Sequence, residues 1–462
     1  MNTFKVISKN AAPIFRLHWP FIFLLAGLTA FQLWGVSKVP FHPDEATYLF
    51  MSSDLEALFT RPGQLGFDPD KADDPRQTYR TIDAPLTRYV LGLGRWAFGI
   101  AALPVDWDWG KTWDENAAAG ALPSPELLLA GRLAMTLLMP LSLVLAYAIG
   151  LEMGGRWTGW AAALLLGLNA LALLHGRRAM AEGVLIFGVL FAFWSFLRGG
   201  KHAWLAGLGM AIAFNSKQSA LALLPVGVLA VVWTESILPR LKSGLENPLK
   251  RMESTTRFNG FFVSATGFNR WHMGRIAGNL LQFLAVFGLV TLALNPIYWR
   301  NPVEAVQASL ATRQDLLSRQ VADAQRLAPG QVLDTPVKRL AVMLGHLYVL
   351  PLQFYEIGNY QTQTEAAEEA YLAVSGHVFL RGLTGGGLVL ALTLIGMVRG
   401  VLEIRRKGIA RSVPVILLFL TTGLMGAALL AAVPLPFQRY SIPLLPLVVL
   451  WMGLGMKGFP KT

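Results

Sequence analysis

The sequence predicts an all-α protein that crosses a membrane many times. Three observations carry that prediction. The 462 residues are 54% hydrophobic and only 15% charged, where soluble domains carry about 25% charge. Mean hydropathy is +0.46. Apolar runs of about twenty residues, the length of helix that spans a bilayer, recur along the chain.

The first element is an apolar run over residues 19–36, preceded by Lys5, Lys9 and Arg16. A signal peptide shares that charge order, but its apolar core is shorter and a small-residue cleavage site follows it. Here Ser37-Lys38-Val39-Pro40 follows, so the run reads as a retained first transmembrane helix. Further spans are expected near 127–149, 155–174, 181–197, 202–216, 218–235, 275–298, 379–398, 412–433 and 440–456, about ten in all. The glycines of LTGGGL (383–388) fall inside an expected helix and read as a site of close helix packing. With no fixed-period repeat and no Gly/Ser linker, 1–462 reads as one transmembrane domain.

Charge orients the spans, because positive residues collect on the cytoplasmic side. Residues 38–126 hold 8 Lys and Arg against 14 Asp and Glu, and the remainder holds 32 against 14. The acidic segment 38–126 is therefore expected outside as a first long outer loop. The loop 236–274, with Arg240, Lys242, Lys250, Arg251, Arg257 and Arg270, is expected inside. So is the turn carrying Arg399, Arg405, Arg406, Lys407 and Arg411. QTQTEAAEEAY (361–371) lacks basic residues and belongs to a second outer loop, 299–377. Both termini are then cytoplasmic. The apolar stretches 84–104 and 338–355 cannot cross without putting acidic segments inside, so each reads as an interfacial helix. Arg88, Arg95 and Lys338 would reach lipid headgroups from them. A formal charge of +12 is spent on this sorting and gives no reason to invoke nucleic acid. Absence of cysteine excludes disulfides and thiolate chemistry.

With that topology the ionisable residues at helix ends gather on the outer face. They are His42, Asp44 and Glu45 in VPFHPDEATYLF, Asp83 in TIDAPLTRYVLGLG, and His175, Arg177, Arg178 and Glu182 in HGRRAMAEG. Lys217 in FNSKQSA, Arg300 in NPIYWRNP, and Arg439 and Tyr440 in PFQRYSIP complete the set. Cations with a few carboxylates suit an anionic ligand and acid–base chemistry. Each piece also has a plainer reading. Asp44 and Glu45 follow a proline at a helix start, where acids complement the dipole. Arg178 and Glu182, four apart, can pair along a helix. Lys217 can snorkel, Arg439 can bind headgroups, and His42 and His175 can be structural. Asp106/Asp108 and Asp68/Asp70 have the spacing of a divalent-metal pair, yet such pairs arise often by chance in an acidic loop. A metal is the lesser reading, and no cofactor is expected.

These segments, in this order, resemble the GT-C class of polytopic membrane glycosyltransferases that use lipid-phosphate-linked sugars. The likeness is to protein O-mannosyltransferases and to the aminoarabinose transferases that modify lipid A. HPDEATY is similar to their first outer loop, where Asp-Glu follows the first span. TIDAPLTRYVLGLG is similar to their juxtamembrane motif, with Ala84 in place of its first proline. GRRAMAEGVLIF, GLGMAIAFNSKQSALALLPV, LNPIYWRNP and QRYSIPLLPL resemble later segments.

The resemblance implies a GT-C-like fold and an inverting transferase, which the charge bias places on the outer face; a single chain with a retained first span suits a bacterial or archaeal plasma membrane. The donor would be a sugar on a polyprenyl phosphate; the acceptor could be protein, lipid or glycan. It implies Asp44 as general base and Glu45 as its aide. Arg177 or Arg178, Lys217 and Arg439 would bind the donor phosphate. Asp83, Glu182, His42 and Tyr440 would support the acceptor or the site. A transporter or flippase for a lipid-linked or anionic solute is the competing class; such proteins keep ionisable groups near the midplane and carry internal repeats. An assembly subunit, indifferent to Asp44 or Lys217, is a third.

Overall fold

The computed structural model describes residues 3–236, 261–356 and 360–457. Of the expected basic loop 236–274, residues 237–260 lie outside the described residues; helix Phe261–Leu294 takes up the remainder. Among the described residues the secondary structure is helical throughout, with no strand.

Among the described residues six helices are long and apolar enough to cross a membrane: Trp19–Lys38, Pro125–Gly154, Ala181–Arg198, Met273–Leu294, Gly382–Lys407 and Val413–Ala432. Each coincides with an expected span. The other four expected spans are shorter or broken. Arg156–Gly167 stops before a second helix, Ala170–His175; Ala203–Ser216 and the segment from Gln218 are short; and Leu445–Gly455 is preceded by a 3-10 stretch over Gln438–Leu444.

The core lies where the short helices pack on the long ones. Small residues let the backbones approach, as association in lipid requires. Ala161, Ala162, Ala172, Ala192, Ala206 and Ala213 are all buried, around larger Phe193, Phe196, Met210 and Trp451. Gly396 backs onto the carbonyl of Trp451, and Gly455 onto that of Leu392, leaving no room for a Cβ at either position. In the triple-glycine stretch Gly386 is likewise pressed against the Tyr348 carbonyl, whereas Gly387 faces open space.

Neither ambiguous stretch holds a helix able to cross. Helix Leu86–Ala97 has 12 residues and Pro336–Leu344 has 9, about 18 and 14 Å at the helical rise. The expected direction of their arginines is corrected, however. Arg88 and Arg95 are buried, with Arg88 Nε 3.3 Å from Asp54 Oδ2, while Arg95 donates to Ser52 Oγ at 2.7 Å and Glu56 Oε1 at 2.6 Å. Leu93, Trp96 and Phe98 are the large apolar side chains exposed there. The helix thus turns its charged face inward and its apolar face outward, the arrangement suited to a lipid neighbour. Lys338 does stay exposed, 2.9 Å from Asp334.

Candidate active site

The helix Pro43–Met51 starts with His42 as N-cap, and its first turn separates the two adjacent carboxylates. Successive helical residues point about 100° apart, so one acid turns inward and the other outward. Glu45 is the inward one. It closes a capping box by accepting from the His42 backbone N–H at 3.1 Å, and it accepts from the Ala179 N–H at 2.8 Å. Arg132 grips it with two prongs, Nε to Oε1 at 2.8 Å and Nη2 to Oε2 at 2.6 Å. Burial pushes the Glu45 carboxyl up, but the Arg132 guanidinium outweighs it and holds the group below the ordinary range. Arg132 also donates to the Val39 carbonyl at 2.7 Å. The capping reading therefore holds for Glu45, which ties the first loop to two later segments.

Asp44 is the outward acid, and it belongs to a closed ring of four residues. Its backbone N–H donates to His42 Nδ1 at 3.1 Å. That makes Nδ1 the acceptor, so His42 Nε2 carries the hydrogen it shares with Glu356 Oε2 at 2.6 Å. The other Glu356 oxygen lies 3.1 Å from Arg439 Nε, and Arg439 Nη1 returns to Asp44 Oδ2. Arg439 has thus turned away from lipid toward two carboxylates. Burial raises the Glu356 carboxyl, yet Arg439 and then His42 pull it well below its usual range.

Beside the ring, Lys217 Nζ donates to Glu182 Oε1 at 2.9 Å. The expected pairing of Glu182 with Arg178 along a helix does not form, because the helix begins only at Ala181. Lys217 and Arg439 flank the Tyr440 ring at 5.8 and 5.9 Å from its centroid, inside cation–π range. Asp83 is reached electrostatically by Arg313, Arg88, Asp44 and Lys217; burial raises its carboxyl, and the cations offset this only in part. Tyr48, one turn after Asp44, is held in its protonated form by burial and then by Asp83, Glu182 and Asp44.

The two arginines of HGRRAMAEG separate. Arg177 donates to the carbonyls of Gln32 at 3.0 Å and Phe31 at 2.8 Å, away from the ring. Arg178 donates to the Phe354 carbonyl at 2.8 Å, within electrostatic reach of Glu45 and Glu356. His175 is buried with neither ring nitrogen bonded. Arg300 lies apart, its stem over Gly66.

No three His, Asp or Glu among the described residues are grouped to hold a metal. Asp106 accepts from the Tyr79 hydroxyl at 2.7 Å, and Asp68 and Asp108 cap local turns. Unpaired buried polar atoms do gather at the ring: Glu182 Oε2, Arg178 Nε, Tyr360 Oη and both nitrogens of His175. Arg439 Nε, although 3.1 Å from Glu356, likewise makes no hydrogen bond, so the ring keeps polar atoms with capacity for a ligand or water. Glu356, Arg132, Tyr48 and Tyr360 were not among the residues singled out by sequence.

An all-helical bundle with membrane-length spans and a charge cluster joining loop ends is the architecture of a polytopic membrane protein with a polar site at one end. The sequence profile of the dolichyl-phosphate-mannose-protein mannosyltransferase family matches residues 82–248. That match covers just over a third of the chain and takes in Asp83, Arg177, Arg178, Glu182 and Lys217. Comparison with curated proteins gives no match.

Solved structures similar to the chain include those of an archaeal oligosaccharyltransferase from Archaeoglobus fulgidus. One, AglB in complex with an inhibitory peptide and a dolichol-phosphate, is 11% identical with a TM-score of 0.48, over 96% of this chain and 50% of that one. Another, a complex with Zn and sulfate, is 13% identical with a TM-score of 0.49, over 93% and 48%. The chain spans about half the length of these structures.

Proposed function

We propose that the protein transfers a sugar from a polyprenyl-phosphate carrier to an acceptor on the outer face of the membrane, with inversion at the anomeric carbon. The acceptor O–H attacks that carbon. The bond from the carbon to the phosphate oxygen breaks, and its electron pair leaves with the phosphate. Asp44 takes the acceptor proton. The products are the glycosylated acceptor and polyprenyl phosphate. Lys217 and Arg439 meet the charge that grows on the leaving phosphate, so no acid is needed to protonate it.

The observation that carries this reading is the contrast in exposure within the cluster. Asp44, Arg439 and Lys217 have side chains 20%, 18% and 27% exposed, whereas those of Glu45 and Glu182 are 0% and 2%. One carboxylate and two cations are thus open to an incoming ligand, and the buried acids hold them in place. Glu45, saturated by Arg132, His42 and Ala179, acts as an organiser of the loop. The expectation of an outer site accords with the acidic bias of residues 38–126.

The test is turnover of polyprenyl-phosphate sugar by the purified full chain with candidate protein, lipid and glycan acceptors. Asp44→Asn is expected to abolish sugar transfer, and the product's anomeric configuration, read by NMR, reports inversion or retention. An Asp44→Asn variant as fast as wild type removes Asp44 as the base. Retained configuration removes the single displacement.

A further inference from the structure

Every cation suited to the donor phosphate already has a partner. Lys217 is bound to Glu182, Arg178 to the Phe354 carbonyl, and Arg439 to Asp44 with Glu356 at 3.1 Å. An arriving phosphate must therefore displace something, and the displaced group must bear being left alone.

The candidates differ in that cost. Glu182 is buried and its Oε2 is already unpaired, so losing Lys217 entirely strands a charge in low dielectric. Arg178 is buried and its hydrogen bond is to the Phe354 carbonyl, which would be left without that donor inside the protein. Asp44 is different: with a fifth of its side chain open, it exchanges an ion pair for water at modest cost. Arg439, on leaving Asp44, still keeps Glu356, which His42 anchors from its other oxygen.

We propose that Arg439 is a shared cation: it masks Asp44 in the resting protein, and the donor phosphate takes it over, freeing Asp44 only when the donor is in place. The proposal rests on the reading of Asp44 as base and of a lipid phosphate as the donor group. Glu356 is then a positioning residue, because it retains the guanidinium through the exchange. Phosphate binding and base release become one event, which makes donor-first order a property of the ring. No proton moves in the exchange; one carboxylate–guanidinium contact is replaced by a phosphate–guanidinium contact.

The exchange predicts a sign that ordinary loss of a contact does not. Binding of polyprenyl phosphate, without sugar or acceptor, is measured on the full chain in nanodiscs. Asp44→Asn is expected to bind it about tenfold more tightly, about 1.4 kcal/mol, because no carboxylate competes for Arg439. In an Arg439→Met background the same substitution is expected to change affinity by less than about twofold. Arg439→Gln gives a second background in case the methionine variant does not fold. Equal or weaker binding by Asp44→Asn overturns the exchange. So does a gain that survives without Arg439, since that gain is simple relief of repulsion. If wild type binds no polyprenyl phosphate at all, the donor reading itself fails, an outcome distinct from binding without the gain.

Discussion

Glu45 and Arg132, 87 positions apart, meet in a two-pronged ion pair whose side chains are 0% and 4% exposed. Breaking such a pair from one side leaves a buried charge uncompensated, which costs about 3–5 kcal/mol. Glu45→Gln is therefore expected to lower the melting temperature and the membrane yield. Asp44→Asn, one residue away, is expected to leave both near wild type while turnover falls by about 10²–10⁴. Thermal unfolding in detergent beside a transfer assay checks the contrast. Equal stability loss in the two variants would mean that the helix does not divide the acids as described.

Lys217 and Glu182 give a second, separable contrast. If Lys217 receives the donor phosphate, Lys217→Met removes a charge-assisted bond of roughly 1.5–3 kcal/mol. The KM for lipid-linked sugar then rises by about ten- to a hundredfold. Glu182→Gln keeps a hydrogen-bonding partner for Lys217 but frees its charge, so donor affinity is expected to hold or improve. A methionine variant with unchanged KM takes Lys217 out of the donor site.

Much of this arrangement was legible in the sequence, for reasons that differ by residue. Periodicity and hydropathy found the long spans because each must satisfy its backbone over one bilayer thickness. The same logic failed to orient Arg88 and Arg95. An amphipathic helix looks alike whether its charged face meets water or the buried Asp54 and the half-exposed Glu56. The Asp44-Glu45 adjacency announced a site, and helical geometry then gave the two acids unequal work. Arg132 sits within the expected span 127–149, where a charge is itself a pointer to function. What it binds depended on the chain returning through 36–45. Glu356 fell between an apolar stretch and an acidic one, a single carboxylate with no period, and only the fold brings it to His42 and Arg439.

Asp83 supplies a prediction in pH. Burial raises its carboxyl above the ordinary value, more than Arg313 and Arg88 lower it. A raised acid means that the folded state prefers the proton, so the ionised form opposes folding at pH above the raised value. Asp83→Asn is expected to melt higher than wild type at neutral pH. The advantage shrinks as pH falls through the raised value and is gone below the unfolded value of about 3.9. Turnover is expected to fall in the same variant, as at other functional sites that trade stability for activity. A lower melting temperature at neutral pH contradicts the sign.

The neighbours Arg177 and Arg178 should part company experimentally. Arg177 donates to the carbonyls of Phe31 and Gln32 near the end of the first helix, Thr3–Trp34, where orphan acceptors and the negative dipole end favour a cation. It fastens the segment that leads into His42, and its two carbonyl partners lie outside the ring. Arg178 holds the Phe354 carbonyl, two residues before Glu356, and so bears on where Glu356 and Arg439 stand. Arg177→Met is expected to lower the melting temperature, with turnover per folded molecule within about twofold of wild type. Arg178→Met is expected to slow turnover by about tenfold or more, since small displacements of reacting groups cost that much. Measuring both rates per folded molecule, with the folded fraction taken from size-exclusion chromatography, separates the two. The assignment fails if the Arg177 variant is the slower one.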